Sequence, residues 1–204
     1  MNVMSAKYSP TFLILLALLS ALTLTGCGFG SQSAEDFFDR GVAKERNGNL
    51  DGAIADFTKA IELNPNLTIA YKNRGWVKKD KGDLDGAIAD FSKAIELNPN
   101  LAIVYKIRGL AKKAKGDLDG AIDDYSKVIE LDPKNYYTYG HRGLAKKDKG
   151  DLDGAIADFS KEIELNPNLA PAYTNRGNAK KAKGDQVGAD EDFAQAAKLK
   201  VSRP

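Results

Sequence analysis

Residues 68–101 read TIAYKNRGWVKKDKGDLDGAIADFSKAIELNPNL. The dipeptide Arg74-Gly75 inside this stretch recurs at Arg40-Gly41, Arg108-Gly109, Arg142-Gly143 and Arg176-Gly177, each 34 residues from the next. The units run 34–67, 68–101, 102–135, 136–169 and 170–203. A unit this short cannot bury its own apolar face, so it must stack on its neighbours, and stacking builds an extended surface. Such a period speaks against most single-core folds and against most enzymes.

The stretch punctuates itself into two helices. Lys81-Gly82-Asp83 is a stop followed by a start: Gly82 suits the left-handed conformation that ends a helix, and Asp83 can cap the next one. The lysines before the glycine favour the negative end of the first helix dipole. Asn98-Pro99 closes the second helix, as Asn64-Pro65 closes the one before. Leu84, Ala87, Ile88, Phe91, Ala94, Ile95 and Leu97 recur at intervals of three and four and form one apolar stripe. In the first helix Tyr71, Gly75 and Val77 do the packing, with Gly75 permitting close approach. Helices of about a dozen residues are marginal alone and need tertiary packing. The expected fold is all-α, a solenoid of five helix-turn-helix units.

These positions resemble the tetratricopeptide repeat family. Its pattern has an aromatic, a glycine four residues later, a small residue early in the second helix, an aromatic four beyond, an alanine and a closing proline. Here those are Tyr71, Gly75, Ala87, Phe91, Ala94 and Pro99, and the other units repeat the pattern. The resemblance covers residues 34–203 and implies that the solenoid is right-handed. Three columns depart from it, one of them Lys44, Lys78, Lys112, Lys146 and Lys180 where an aromatic is common. Every unit has Arg where the family usually has Leu, and every unit has an Asp before the second aromatic, from Asp56 to Asp192. The Arg and Asp columns are expected to pair between helices through a charge-assisted contact, the alternative being that both line solvated faces. The last unit is edited at its apolar positions, with Asp190 and Ala197 where earlier units have Ile, as suits a capping repeat with a polar outer face. With the chain ending at Pro204, no separate capping helix is expected.

The resemblance implies that the first helices line a concave side. Groove positions would be Ile69, Lys72, Trp76 and Lys79; then Ile103, Lys106, Leu110 and Lys113; then Tyr137, Gly140, Leu144 and Lys147. This is an apolar strip edged by lysines, fit for an extended or helical peptide with hydrophobic anchors and acidic groups. Trp76 is the only tryptophan and the expected hot spot. The alternative is that the Trp76 column belongs to the core between repeats. The lysine run around Lys78, Lys79 and Lys81 reads either as solvated surface or as a stripe for an acidic polymer. His141 reads as a lone surface histidine beside Tyr136, Tyr137 and Tyr139.

The first 27 residues are a separate object. Thr11 to Thr25 is uncharged and follows Lys7, the pattern of a secretory signal. Leu24-Thr25-Gly26-Cys27 then resembles the lipobox of bacterial lipoproteins, which implies removal of residues 1–26 and acylation of Cys27, the chain's only cysteine. Residues 27–33 would be the lipidated cysteine and a short linker reaching about 20 Å. Gly28, rather than Asp, slightly favours an outer membrane if the source has two.

Charge is balanced, 30 Lys and Arg against 28 Asp and Glu, so no nucleic-acid partner is expected. One cysteine and one histidine leave no intramolecular disulfide and no ordinary metal cluster. The glycines serve helix ends and contacts, with no phosphate loop among them, and no cue activates a serine. The expectation is a non-catalytic, cofactor-free, lipid-anchored scaffold that holds a protein or peptide at the bacterial envelope. The alternative is an envelope structural protein binding an acidic polymer through its lysine stripe. Oligomeric state is open.

Overall fold

A computed structural model describes residues 32–201. Cys27 and the rest of the signal and lipidation segment lie outside the described residues. Among the described residues ten helices follow in order: α1 (Ala34–Arg46), α2 (Leu50–Leu63), α3 (Thr68–Asp80), α4 (Leu84–Leu97), α5 (Ala102–Ala114), α6 (Leu118–Leu131), α7 (Tyr136–Lys149), α8 (Leu152–Leu165), α9 (Ala170–Lys183) and α10 (Gln186–Val201). Odd and even helices pair as α-hairpins, and each even helix also packs against the odd helix that follows. The unit is an all-α solenoid.

Local chemistry sets the boundaries. Gly82 has φ +85°, and its four counterparts are likewise left-handed, a region closed to most side chains. The next residue caps the second helix. The backbone N–H groups of Gly52, Gly86, Gly120, Gly154 and Gly188 donate to the side chains of Asn49, Asp83, Asp117, Asp151 and Asp185 at 2.9–3.0 Å. Each such cap contributes about 1 kcal/mol. Within the hairpins, a Cβ added to Gly109 would stand 2.8 Å from Tyr125 Cε1, so the first helix lies against the ring with only a glycine's thickness to spare.

The core sits at the junctions between repeats. Phe57 packs with Val77, Phe91 with Val104 and Ile107, Tyr125 with Ala145, and Phe159 with Ala179. The second aromatic of each unit thus meets the first helix of the next. In the last unit α10 buries only Ala189, Asp192 and Ala196, Val187 and Val201 stay in solvent, and Gln186 Nε2 donates to Asp190 Oδ1.

The Arg and Asp columns do pair, in all five units. Arg40, Arg74, Arg108, Arg142 and Arg176 each grip the Asp sixteen residues on through two N–H donors at 2.6–2.9 Å. The Lys column from Lys44 to Lys180 reaches the same carboxylate at 2.7–3.1 Å. The aspartates are buried, and a buried carboxylate must be compensated in this way. A third N–H of each later arginine crosses to the preceding unit, donating to Thr58, Ser92, Ser126 or Ser160 at 3.0–3.2 Å. Those serine hydroxyls in turn donate to their own helix carbonyls. The guanidinium also lies over the aromatic three residues before it. Arg in place of Leu therefore links one repeat to the next. Lys81, Lys115, Lys149 and Lys183 add a second link, each pairing with the Asp thirty residues earlier.

Candidate binding groove

The first helices expose an apolar column. Ile69 and Trp76 are each 39% exposed, Ile103 47% and Tyr137 56%. Trp76 and Val77 show why. Consecutive helical residues point about 100° apart, so Val77 enters the junction core at 1% exposure while Trp76 points outward. The core reading of Trp76 is thereby replaced by a surface one. Leu110 and Leu144, one and two units on, behave differently: they are half-buried and lean on the clusters around Tyr125 and Phe159. The exposed strip is therefore Ile69, Trp76, Ile103 and Tyr137.

Three cavities surround Ile103. One of about 290 Å³ is lined by Glu45, Lys72, Asn73, Trp76, Ile103 and Ile107, which joins α1, α3 and α5 across one face. A second, about 230 Å³, runs from Ile69 and Lys72 to Leu101 and Ile103. A third, about 220 Å³, lies between Ile103, Lys106, Val128 and Asn135. Sequence reasoning named Ile103 and its lysines but missed Glu45, Asn73 and Asn135. The last of these lies between helices, so no helical periodicity marks it.

The edging lysines divide into two sets. Lys79 lies 4.8 Å from the Trp76 ring centre and pairs with Asp80, and Lys113 pairs with Asp148 across units. Lys72, Lys106 and Lys147 make no salt bridge among the described residues. Two of these, Lys72 and Lys106, line the cavities. Glu45, on the wall opposite Lys72, has its carboxyl pushed up by burial and by the charge of Asp80.

His141 is not a lone surface group. It is half-buried and stacks on Tyr125 with ring centres 5.7 Å apart. Burial, together with the charges of Lys106 and Lys113, lowers its pKa. Sequence spacing missed this because the two rings belong to different units. Tyr139 is buried and donates its hydroxyl to the Pro133 carbonyl at 3.2 Å, whereas Tyr137 stays exposed.

Residues 68–101 and 102–135 match a family model described as Tetratricopeptide repeat. Residues 34–67 match a second model of that description, and residues 143–184 match one described as TPR repeat. The chain belongs to the tetratricopeptide repeat family. No curated protein matches it. Among solved structures it is similar to MamA, with a TM-score of 0.76 and 29% identity over 78% of this chain and 94% of that one. It is also similar to MamA residues 41 to the end from Desulfovibrio magneticus RS-1, with TM-score 0.78, 20% identity, and 86% and 99% covered. YrrB, a TPR protein with an unusual peptide-binding site, superposes at TM-score 0.76 with 21% identity over 92% and 94%. Fold and family support a scaffold for protein–protein interaction. No helix among the described residues is long and apolar enough to cross a membrane.

Proposed function

We propose that this tetratricopeptide repeat protein is a lipid-anchored adaptor at the bacterial envelope, acylated at Cys27, that binds a peptide segment of a partner protein in the first-helix groove. The observation that carries the groove is the exposed column of Ile69, Trp76, Ile103 and Tyr137 beside three contiguous cavities. A surface apolar strip rimmed by Lys72 and Lys106 favours a segment with hydrophobic anchors and acidic groups between them. The peptide-binding site of YrrB, on a similar fold, supports the class of ligand. The adaptor role fits a solenoid whose other polar columns are engaged in holding repeats together.

The polymer-binding alternative loses its footing because most of the lysine stripe is committed elsewhere. The Lys78 column holds the buried aspartates and the Lys81 column links neighbouring units. Selection of peptides from a random display library tests the groove. Enriched binders should combine apolar and acidic residues, quench Trp76 fluorescence and lose at least tenfold in affinity on Trp76→Ala or Ile103→Glu. Binders that ignore both substitutions would remove the groove. Cys27→Ala, with fractionation of the cells, tests the anchor: the protein should leave the membrane fraction.

A further inference from the structure

The fourth unit breaks two columns that touch one another. Gly140 stands where the second and third units have Lys72 and Lys106, and Glu162 stands where they have Ala94 and Val128. Glu162 is only 6% exposed. It fits because Gly140 has no side chain: a Cβ there would overlap the Glu162 carboxylate. Oε2 is sealed from solvent with no hydrogen-bond partner, and no salt bridge reaches Glu162 among the described residues. An unpaired buried carboxyl is unfavourable to keep. Every other buried carboxylate in this protein, from Asp56 to Asp192, has an arginine and a lysine.

The place also matters. One unit earlier, the same two columns, as Lys106 and Val128, line the groove cavity of about 220 Å³. Gly140 is itself buried, because the Glu162 carboxylate fills the space a side chain would take there, so the two residues continue the groove wall with a carboxyl in place of the lysine stem. Resting on the groove proposed above, we infer that Glu162, at the carboxylate oxygen that is not sealed, is the subsite for a primary ammonium group of the bound segment, from a lysine side chain or a free amino terminus. A compact point charge suits a site with one oxygen sealed, whereas a guanidinium needs both oxygens for its fork. The groove then has a direction, with Lys72 and Lys106 taking acidic groups and the fourth unit taking the basic one. Burial pushes the free Glu162 carboxyl up to about 7, so ammonium binding near neutrality ionises it and releases its proton to solvent.

The test is an NMR titration of the Glu162 side-chain carboxyl in the intact chain with n-butylammonium chloride. The signal should shift saturably and its titration midpoint should fall by about one pH unit, with no response to n-butanol or to matched sodium chloride. Glu162→Gln should abolish saturation, and Glu162→Asp should weaken it at least fivefold, with thermal melts confirming that both variants fold. Nα-acetyl-lysine methylamide against leucine methylamide then separates the two ammonium sources by which binds more tightly. A Glu162 signal that follows sodium chloride alone would overturn the subsite. If that happens while display-selected peptides still quench Trp76, the subsite falls and the groove stands. A saturable response without peptide binding at Trp76 leaves the subsite and removes the groove.

Discussion

The arginines and lysines that hold the buried aspartates share the first helices with the groove positions, and the two sets behave in opposite ways. Arg74, Arg108 and Arg142 are identical, and so are their aspartates and lysines, because each set must meet the same partners in every unit. Three of the four groove columns vary: Ile69, Ile103 and Tyr137 in one, Trp76, Leu110 and Leu144 in another, Lys72, Lys106 and Gly140 in a third, while Lys79, Lys113 and Lys147 do not. Stacking demands identity from repeat to repeat, whereas recognition of one asymmetric ligand demands difference. Internal uniformity thus marks the scaffold, and internal variation falls on the face proposed to bind.

The largest expected effect breaks the uniform side. Asp124→Ala leaves Arg108 and Lys112 without their buried partner and should lower unfolding free energy by about 3–5 kcal/mol in urea denaturation. Asp56→Ala should lower it by only about 1 kcal/mol, because the Arg40 side chain is 43% exposed against 15% for Arg108. Equal losses at the two sites would contradict the role of the junction. A double-mutant cycle on Arg108 and Asp124 should give a coupling above about 1 kcal/mol.

Next comes pH. The Glu162 carboxyl is raised in the folded state, so its contribution is fully present below the ordinary value of 4.5 and is lost as pH rises toward about 7. The loss across that window is of order 3 kcal/mol, and Glu162→Gln should flatten it in melts between pH 5 and 8. Asp56 has the opposite sign. The Arg40 hydrogen bond, stronger than the opposing effect of burial, holds its carboxyl below the usual range, so its contribution disappears as pH falls through the folded value.

Smaller still is Gly109→Ala. The crowding against Tyr125 destabilises by about 1–3 kcal/mol, of which the better helix propensity of alanine returns up to about 1 kcal/mol. Smallest is Trp76→Ala, which should change stability by less than about 0.5 kcal/mol while reducing peptide affinity at least tenfold. A large stability loss there would return Trp76 to the core.

Much of this is legible in the sequence. The glycine and the Asp or Asn after it at each turn placed the helix ends, and the paired recurrence of Arg and Asp announced their contact. Other features were hidden because sequence shows columns without showing which columns meet across units. The Ser92 hydroxyl under Arg108, the Lys81 link to Asp51 and the stack of His141 on Tyr125 all join different repeats. Glu162 reads as an ordinary surface glutamate until Gly140 is seen beside it. Leu110 and Leu144 share a column with Trp76, yet their smaller side chains lean on the core.

The most direct measurement is a backbone amide map with a display-selected peptide of apolar and acidic residues. Shifts should concentrate along Ile69 to Lys79, Ile103 to Lys113 and Tyr137 to Lys147, and should leave the even-numbered helices nearly untouched except beside Val128 and Glu162 on the groove wall. Shifts centred on α4, α6 and α8 instead would contradict the claim that the varied face of the first helices is where this protein holds its partner.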